Sequence, residues 1–153
     1  MYTIYIVMNT DYMKISGITV VLDIGLILLL LRNDLVVFDR TFIVTVLMSH
    51  ALFYYALFYE NHSLIDSLHV IIFFYLSVSP FLKNKWLLGL NLFLITTIQI
   101  LWVIEERCIL NQEPNQFGYA KSLSIYVLLF TIGLAMKFGW TLFAPKMVSV
   151  NMS

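Results

Sequence analysis

The chain has 153 residues, of which 61% are hydrophobic and 12% charged, with nine basic side chains balancing nine acidic ones. Soluble domains average about 45–50% apolar and about 25% charged residues, so a mean hydropathy of +0.89 points to a bilayer, and the length allows one compact helical bundle with no soluble domain attached. Scattered bases and zero net charge exclude the basic face of a nucleic-acid-binding protein and the polybasic cluster of an anionic-lipid sensor; a single cysteine, Cys108, excludes an internal disulfide and a Cys-based zinc site.

The start, Met1 to Met8, is apolar but has no basic leader and no small-residue cleavage site, so the mature chain is expected to keep it. Lys14 then precedes an apolar run in the manner of a signal anchor. Runs long enough to cross a bilayer predict an all-α, polytopic bundle of five spans: Ile15 to Leu31, Thr41 to Tyr59, Leu64 to Leu82, Trp86 to Ile104 and Ser122 to Phe143. The first span carries Asp23 near its middle, which costs about 2.5–3.5 kcal/mol on the insertion scale. Its twelve Leu, Ile and Val residues return about 4–7 kcal/mol on the same scale, so insertion wins. Failing that, the chain has four spans and an amphipathic N-terminal segment. Gly17 and Gly25 permit close approach of a neighbouring helix over about two turns.

Arg32 to Arg40 forms the first turn, with Arg32, Asp34, Asp39 and Arg40 as its solvated rim and Leu35 to Phe38 dipping into the interface. The second turn, Glu60 to Ser63, holds a solvated His62 and an Asn61-His62-Ser63 sequon set too close to two spans to be used. Pro80 ends or kinks the third span, and Lys83 to Lys85 links it to the fourth. The segment Glu105 to Lys121 is the one sizeable polar loop. Arg32, Arg40, Lys83, Lys85 and Lys146 fall on one side, against Lys14, Arg107 and Lys121 on the other, which puts the C-terminus in the cytoplasm. Trp86, Trp102, Trp140 and Tyr59 sit near span ends as interfacial aromatics do. Five spans do not divide into equal halves and no repeat is visible, which disfavours an inverted-repeat transporter.

Ionisable groups at membrane depth are the candidate site. A rise of about 1.5 Å per residue places Asp23 about 12 Å, His50 about 14 Å and Lys137 about 9 Å from their cytoplasmic span ends, one layer. His69 and Gln99 lie about 7–8 Å from the outer ends, with Asp66 one turn shallower on the face of His69, a second layer. Read functionally, the two layers are a hydrophilic path for protons or cations. Read structurally, Asp23 and Lys137 form a buried pair, and His50, His69, Asn91 and Gln99 make interhelical hydrogen bonds of about 0.6–2 kcal/mol each; Lys137 snorkelling to the interface is a further alternative that leaves Asp23 protonated. A haem clamped by His50 and His69 is disfavoured because the two differ in depth by about one helical turn. In the long loop, Glu105, Glu106, Cys108 and Glu113 lack a histidine and any familiar metal spacing, so they read as helix-end charges, with Cys108 a thiol open to palmitoylation.

The stretch from Leu68-His69 through Pro80-Phe81, Asn84-Lys85 and Trp102-Val103-Ile104-Glu105-Glu106-Arg107-Cys108-Ile109-Leu110-Asn111 resembles a group of uncharacterised small multi-pass proteins from environmental and large-DNA-virus sequence sets. Those proteins carry a helix hairpin ending in a His-Trp-x-x-Asn-rich-Cys-x-Leu-Thr segment. The resemblance covers the third and fourth spans and the start of the long loop. Leu101 stands where the His is expected, Glu105 and Glu106 replace the Asn cluster, and Asn111 replaces the Thr, which removes any role tied to those groups. The resemblance implies a helical membrane protein. The sequence therefore predicts a non-enzymatic structural or interaction component whose partners are the lipid bilayer and either copies of itself or other membrane proteins. No catalytic set, metal or cofactor is expected; the competing reading is a small proton or cation transporter or channel built on Asp23, His50 and Lys137.

Overall fold

A computed structural model of the chain describes residues 10–32, 34–105 and 120–143. It contains α1 (Thr10–Leu30), α2 (Val37–Phe58), α3 (His62–Val78), a 3-10 turn (Ser79–Phe81), α4 (Lys85–Glu105) and α5 (Ala120–Phe143), with no strand among the described residues. All five α-helices are long and apolar enough to cross a membrane. The chain is thus an all-α bundle of membrane-spanning dimensions. Inside hydrocarbon a backbone amide has no water to bond, so a helix that satisfies itself is the form such apolar runs must take. Large side chains remain on the outer surfaces of the helices, among them Val37, Val70, Val103, Met136 and Trp140, where lipid replaces water as their solvent.

The helices are ordered in space as α3, α2, α1, α4, α5: α1 lies between α2 and α4, α3 flanks α2, and α5 flanks α4. Two glycines allow the close contacts. A Cβ on Gly25 of α1 would stand 3.1 Å from Leu90 of α4, and one on Gly89 of α4 would stand 3.2 Å from the Phe138 ring of α5. Gly17, expected to share in such packing, has open space around it. The main core, with Leu26, Phe42, Ile43, Leu76, Leu82, Leu87 and Leu88, fills the half of the bundle nearest Asp39. A smaller cluster of Phe53, Ala56, Leu57, Ile65 and Leu68 closes α1, α2 and α3 at the opposite end, near Glu60.

The turn after α2 is a Schellman motif. The Asn61 N–H donates to the Ala56 carbonyl (2.9 Å) and the Glu60 N–H to Leu57 (3.3 Å), which caps otherwise orphaned helix-end carbonyls. Glu60 holds the left-handed position at φ 50°, a conformation that costs a non-glycine residue about 1–2 kcal/mol. Asn61 then caps α3 by accepting from the Leu64 N–H at 3.1 Å. As the sequence predicts, Pro80 ends the third helix, in a 3-10 turn.

The place of Asp39 differs from its sequence reading. α2 begins at Val37 rather than Thr41, and this extra turn carries Asp39 inward. Instead of lying on a solvated rim, Asp39 is 1% exposed. Its Oδ1 accepts from the Lys83 N–H at 3.1 Å and its Oδ2 from the Asn84 N–H at 2.7 Å. Asn84 in turn caps α4 through the N–H groups of Trp86 and Leu87. From the other side, Lys137 of α5 donates to the carbonyls of Pro80 and Leu82. One acidic and one basic side chain thereby satisfy polar backbone groups of the partly buried link between the 3-10 turn and α4. Arg32 and Asp34 stay on the exposed rim, joined through two nitrogen–oxygen contacts of 3.0 and 2.9 Å.

Candidate functional site: an acid–imidazole pair facing a cavity

His50 and Tyr54 are one helical turn apart on α2 and so share a face. That face meets α1 at Asp23. The Asp23 carboxylate takes both groups, Oδ1 at 2.5 Å from His50 Nδ1 and Oδ2 at 3.1 Å from the Tyr54 hydroxyl, which donates to it. The side chains of His50 and Asp23 are 12% and 17% exposed. The pair is therefore held in a low-dielectric setting, where a carboxylate without such donors would be costly.

Beside the pair is a cavity of about 100 Å³ walled by α1, α2, α3 and α4. Each helix contributes a stripe at helical spacing, such as Ile15, Ile18, Thr19 and Leu22 on α1 and Leu94, Thr97, Ile98, Leu101 and Trp102 on α4. The cavity exists because α3 and α4, though consecutive, do not pack along their lengths. His50 and His69 both line it, and the His69 ring stacks on Phe73 at 5.4 Å between centroids. With Nδ1 turned to Asp23, the opposite edge of the His50 ring carries Nε2, which has no hydrogen-bond partner among the described residues and is not sealed in protein. Ser49 and Tyr75 also border the cavity, but their hydroxyls lie 2.9 Å apart over the Thr45 carbonyl and are committed there.

Of the residues singled out in the sequence, Asp23 and His50 are brought together, and His69 joins them in the cavity wall. The predicted Asp23–Lys137 pair does not form, because α5 lies on the far side of α4 from α1 and Lys137 is bonded to Pro80 and Leu82. Gln99 turns away from the cavity and donates to Thr131 of α5 at 2.7 Å, an interhelical bond of the expected kind with a partner the sequence did not name. Asn91 bonds back to Leu87 on its own helix rather than across helices. Asp66 is exposed on α3. Glu105 ends α4, its side chain lies outside the described residues, and so do Glu106 and Cys108.

Tyr54 was missed in the sequence, although its spacing from His50 was the available signal. Asp39 was missed because a charge beside a span end looks like surface. Among the described residues no group of three or more His, Cys, Asp or Glu side chains is placed to hold a metal ion. No protein-family model, curated protein or solved structure matches the chain, so a functional reading has to come from the Asp23–His50 pair and its cavity.

Proposed function

We propose that this protein is a non-enzymatic membrane component that binds a small ligand from within the bilayer, in the cavity beside Asp23 and His50. One observation carries the reading: an imidazole held at Nδ1 by a carboxylate, with Nε2 unengaged, borders a cavity walled by four helices of membrane-spanning length. Polar groups in an apolar pocket orient and select what enters it. The hydroxyls near His50 are committed, Tyr54 to Asp23 and Ser49 to Tyr75, so none stands as a free nucleophile.

The second reading is proton or cation movement through the same pair, an imidazole being well suited to proton exchange near neutral pH. A through-path is disfavoured by the apolar core of Leu26, Phe42, Ile43, Leu76 and Leu87, which separates Asp23 and His50 from the polar Asp39 end. An ion crossing that layer without water would meet a barrier of several kcal/mol.

Two measurements on the purified protein decide between them. Trp102 lines the cavity, so bilayer-soluble aromatic compounds are expected to change its fluorescence saturably in nanodiscs, and Thr97→Phe, which fills the cavity, to abolish the change. Proton flux into liposomes above the empty-vesicle rate, lost in a folded Asp23→Asn variant, would instead establish transport. Absence of saturable binding would remove the ligand reading.

A further inference from the structure

We infer that the ligand is a hydrogen-bond donor: a bilayer-soluble molecule bearing a hydroxyl on a single six-membered ring, with the hydroxyl directed at His50 Nε2. The inference rests on the cavity being a ligand site and adds the chemistry of what it takes. With Asp23 as a carboxylate, accepting from the Tyr54 hydroxyl at Oδ2, the hydrogen of its contact with His50 sits on Nδ1. In the neutral form of that tautomer, the form the inference assigns to His50, Nε2 has a bare lone pair. The His50 ring borders a largely apolar cavity, where an unsatisfied acceptor is unfavourable and an arriving donor is rewarded.

The threonine hydroxyls of the wall are committed elsewhere. The Thr97 hydroxyl donates to the Phe93 carbonyl at 2.8 Å and the Thr19 hydroxyl to Ile15 at 2.9 Å, each within its own helix. Size then limits the ligand. A protein cavity of about 150 Å³ holds benzene, so a cavity of about 100 Å³ that is partly open admits no more than one ring, with any alkyl tail leaving through the opening. Phe53 and Phe73 supply apolar walls for the ring.

The test compares three probes of nearly equal size in nanodiscs: 4-propylphenol, its methyl ether 4-propylanisole, and propylbenzene. The ether keeps the oxygen and its lone pairs but has no hydrogen to donate. With Trp102 fluorescence and thermal shift as readouts, the phenol is expected to bind about tenfold more tightly than either comparator, the effect of one well-formed hydrogen bond at a buried acceptor. In Asp23→Asn the Nδ1 hydrogen is no longer held by a carboxylate, so the preference for phenol over anisole should shrink several-fold while propylbenzene binding stays the same. Equal binding of all three probes would overturn the donor inference and leave the cavity as a binding site. Failure of all three to bind would overturn the binding reading itself, and the inference with it. An undiminished phenol preference in Asp23→Asn would show that the carboxylate does not set the state of His50 and would overturn the role the inference gives to Asp23.

Discussion

Replacing Asp39 by Ala should do more damage than its place beside a helix end suggests. The side chain is 1% exposed and receives the backbone N–H groups of Lys83 and Asn84 at 3.1 and 2.7 Å. Hydrogen bonds to a charged group contribute about 1.5–3 kcal/mol each, so losing both removes about 3–6 kcal/mol at the limit. The link carrying the donors is itself only partly buried, with Lys83 exposed, so water can bond the freed amides and the lower end of the range applies. Asp39 also stands in the first turn of α2, where a carboxylate gains about 0.3–1 kcal/mol from the helix dipole. The expected loss is about 3–4 kcal/mol for Asp39→Ala. Asp39→Asn keeps one acceptor oxygen but turns an amide NH₂ toward the second donor, and should lose about half as much. Equilibrium unfolding in mixed micelles of rising SDS content, followed by helical circular dichroism, measures both, and Trp86 fluorescence reports on the link locally. An Asp39→Ala protein within about 0.5 kcal/mol of the parent would refute the reasoning, because exposed surface substitutions fall in that range.

Three further outcomes can be measured. Lys137→Met, which removes the donor to the Pro80 and Leu82 carbonyls, should lose about 2 kcal/mol in the same unfolding assay, and its combination with Asp39→Ala should lose less than the sum because both side chains hold one link. Glu60→Gly relieves the left-handed backbone at φ 50° and should raise stability by about 0.5–1 kcal/mol after the greater unfolded-state entropy of glycine is subtracted; a loss of stability would show that the Glu60 side chain contributes something its backbone position does not explain. The Arg32 guanidinium, through its hydrogen bonds to Asp34 first and its charge second, holds the Asp34 carboxyl below its ordinary value. The linked stabilisation is therefore present at neutral pH and is lost on acidification through that lowered value. In Arg32→Gln the Asp34 titration midpoint, followed by carbon NMR, should rise; an unchanged midpoint would mean the exposed pair is not formed in solution.

Five membrane-length helices, the break at Pro80 and polar groups at depth are all legible in the residues. Each is a local property. Hydropathy summed over about 20 residues decides insertion, proline acts on its own turn, and rise along a helix axis estimates depth. Direction around each axis and the identity of the neighbours come instead from how the helices pack. A turn of 100° per residue separates a side chain that faces a partner from one that faces lipid, and depth carries no information about it. Thus Asp23 and Lys137, matched in depth, belong to helices that are not packed neighbours, and each found other partners: His50 and Tyr54 for the first, the Pro80 and Leu82 carbonyls for the second. The burial of Asp39 depends on amides more than forty positions away in the chain. The cavity facing His50 arises from the failure of α3 and α4 to pack along their lengths, a consequence of helix arrangement that the residues of neither helix reveal alone.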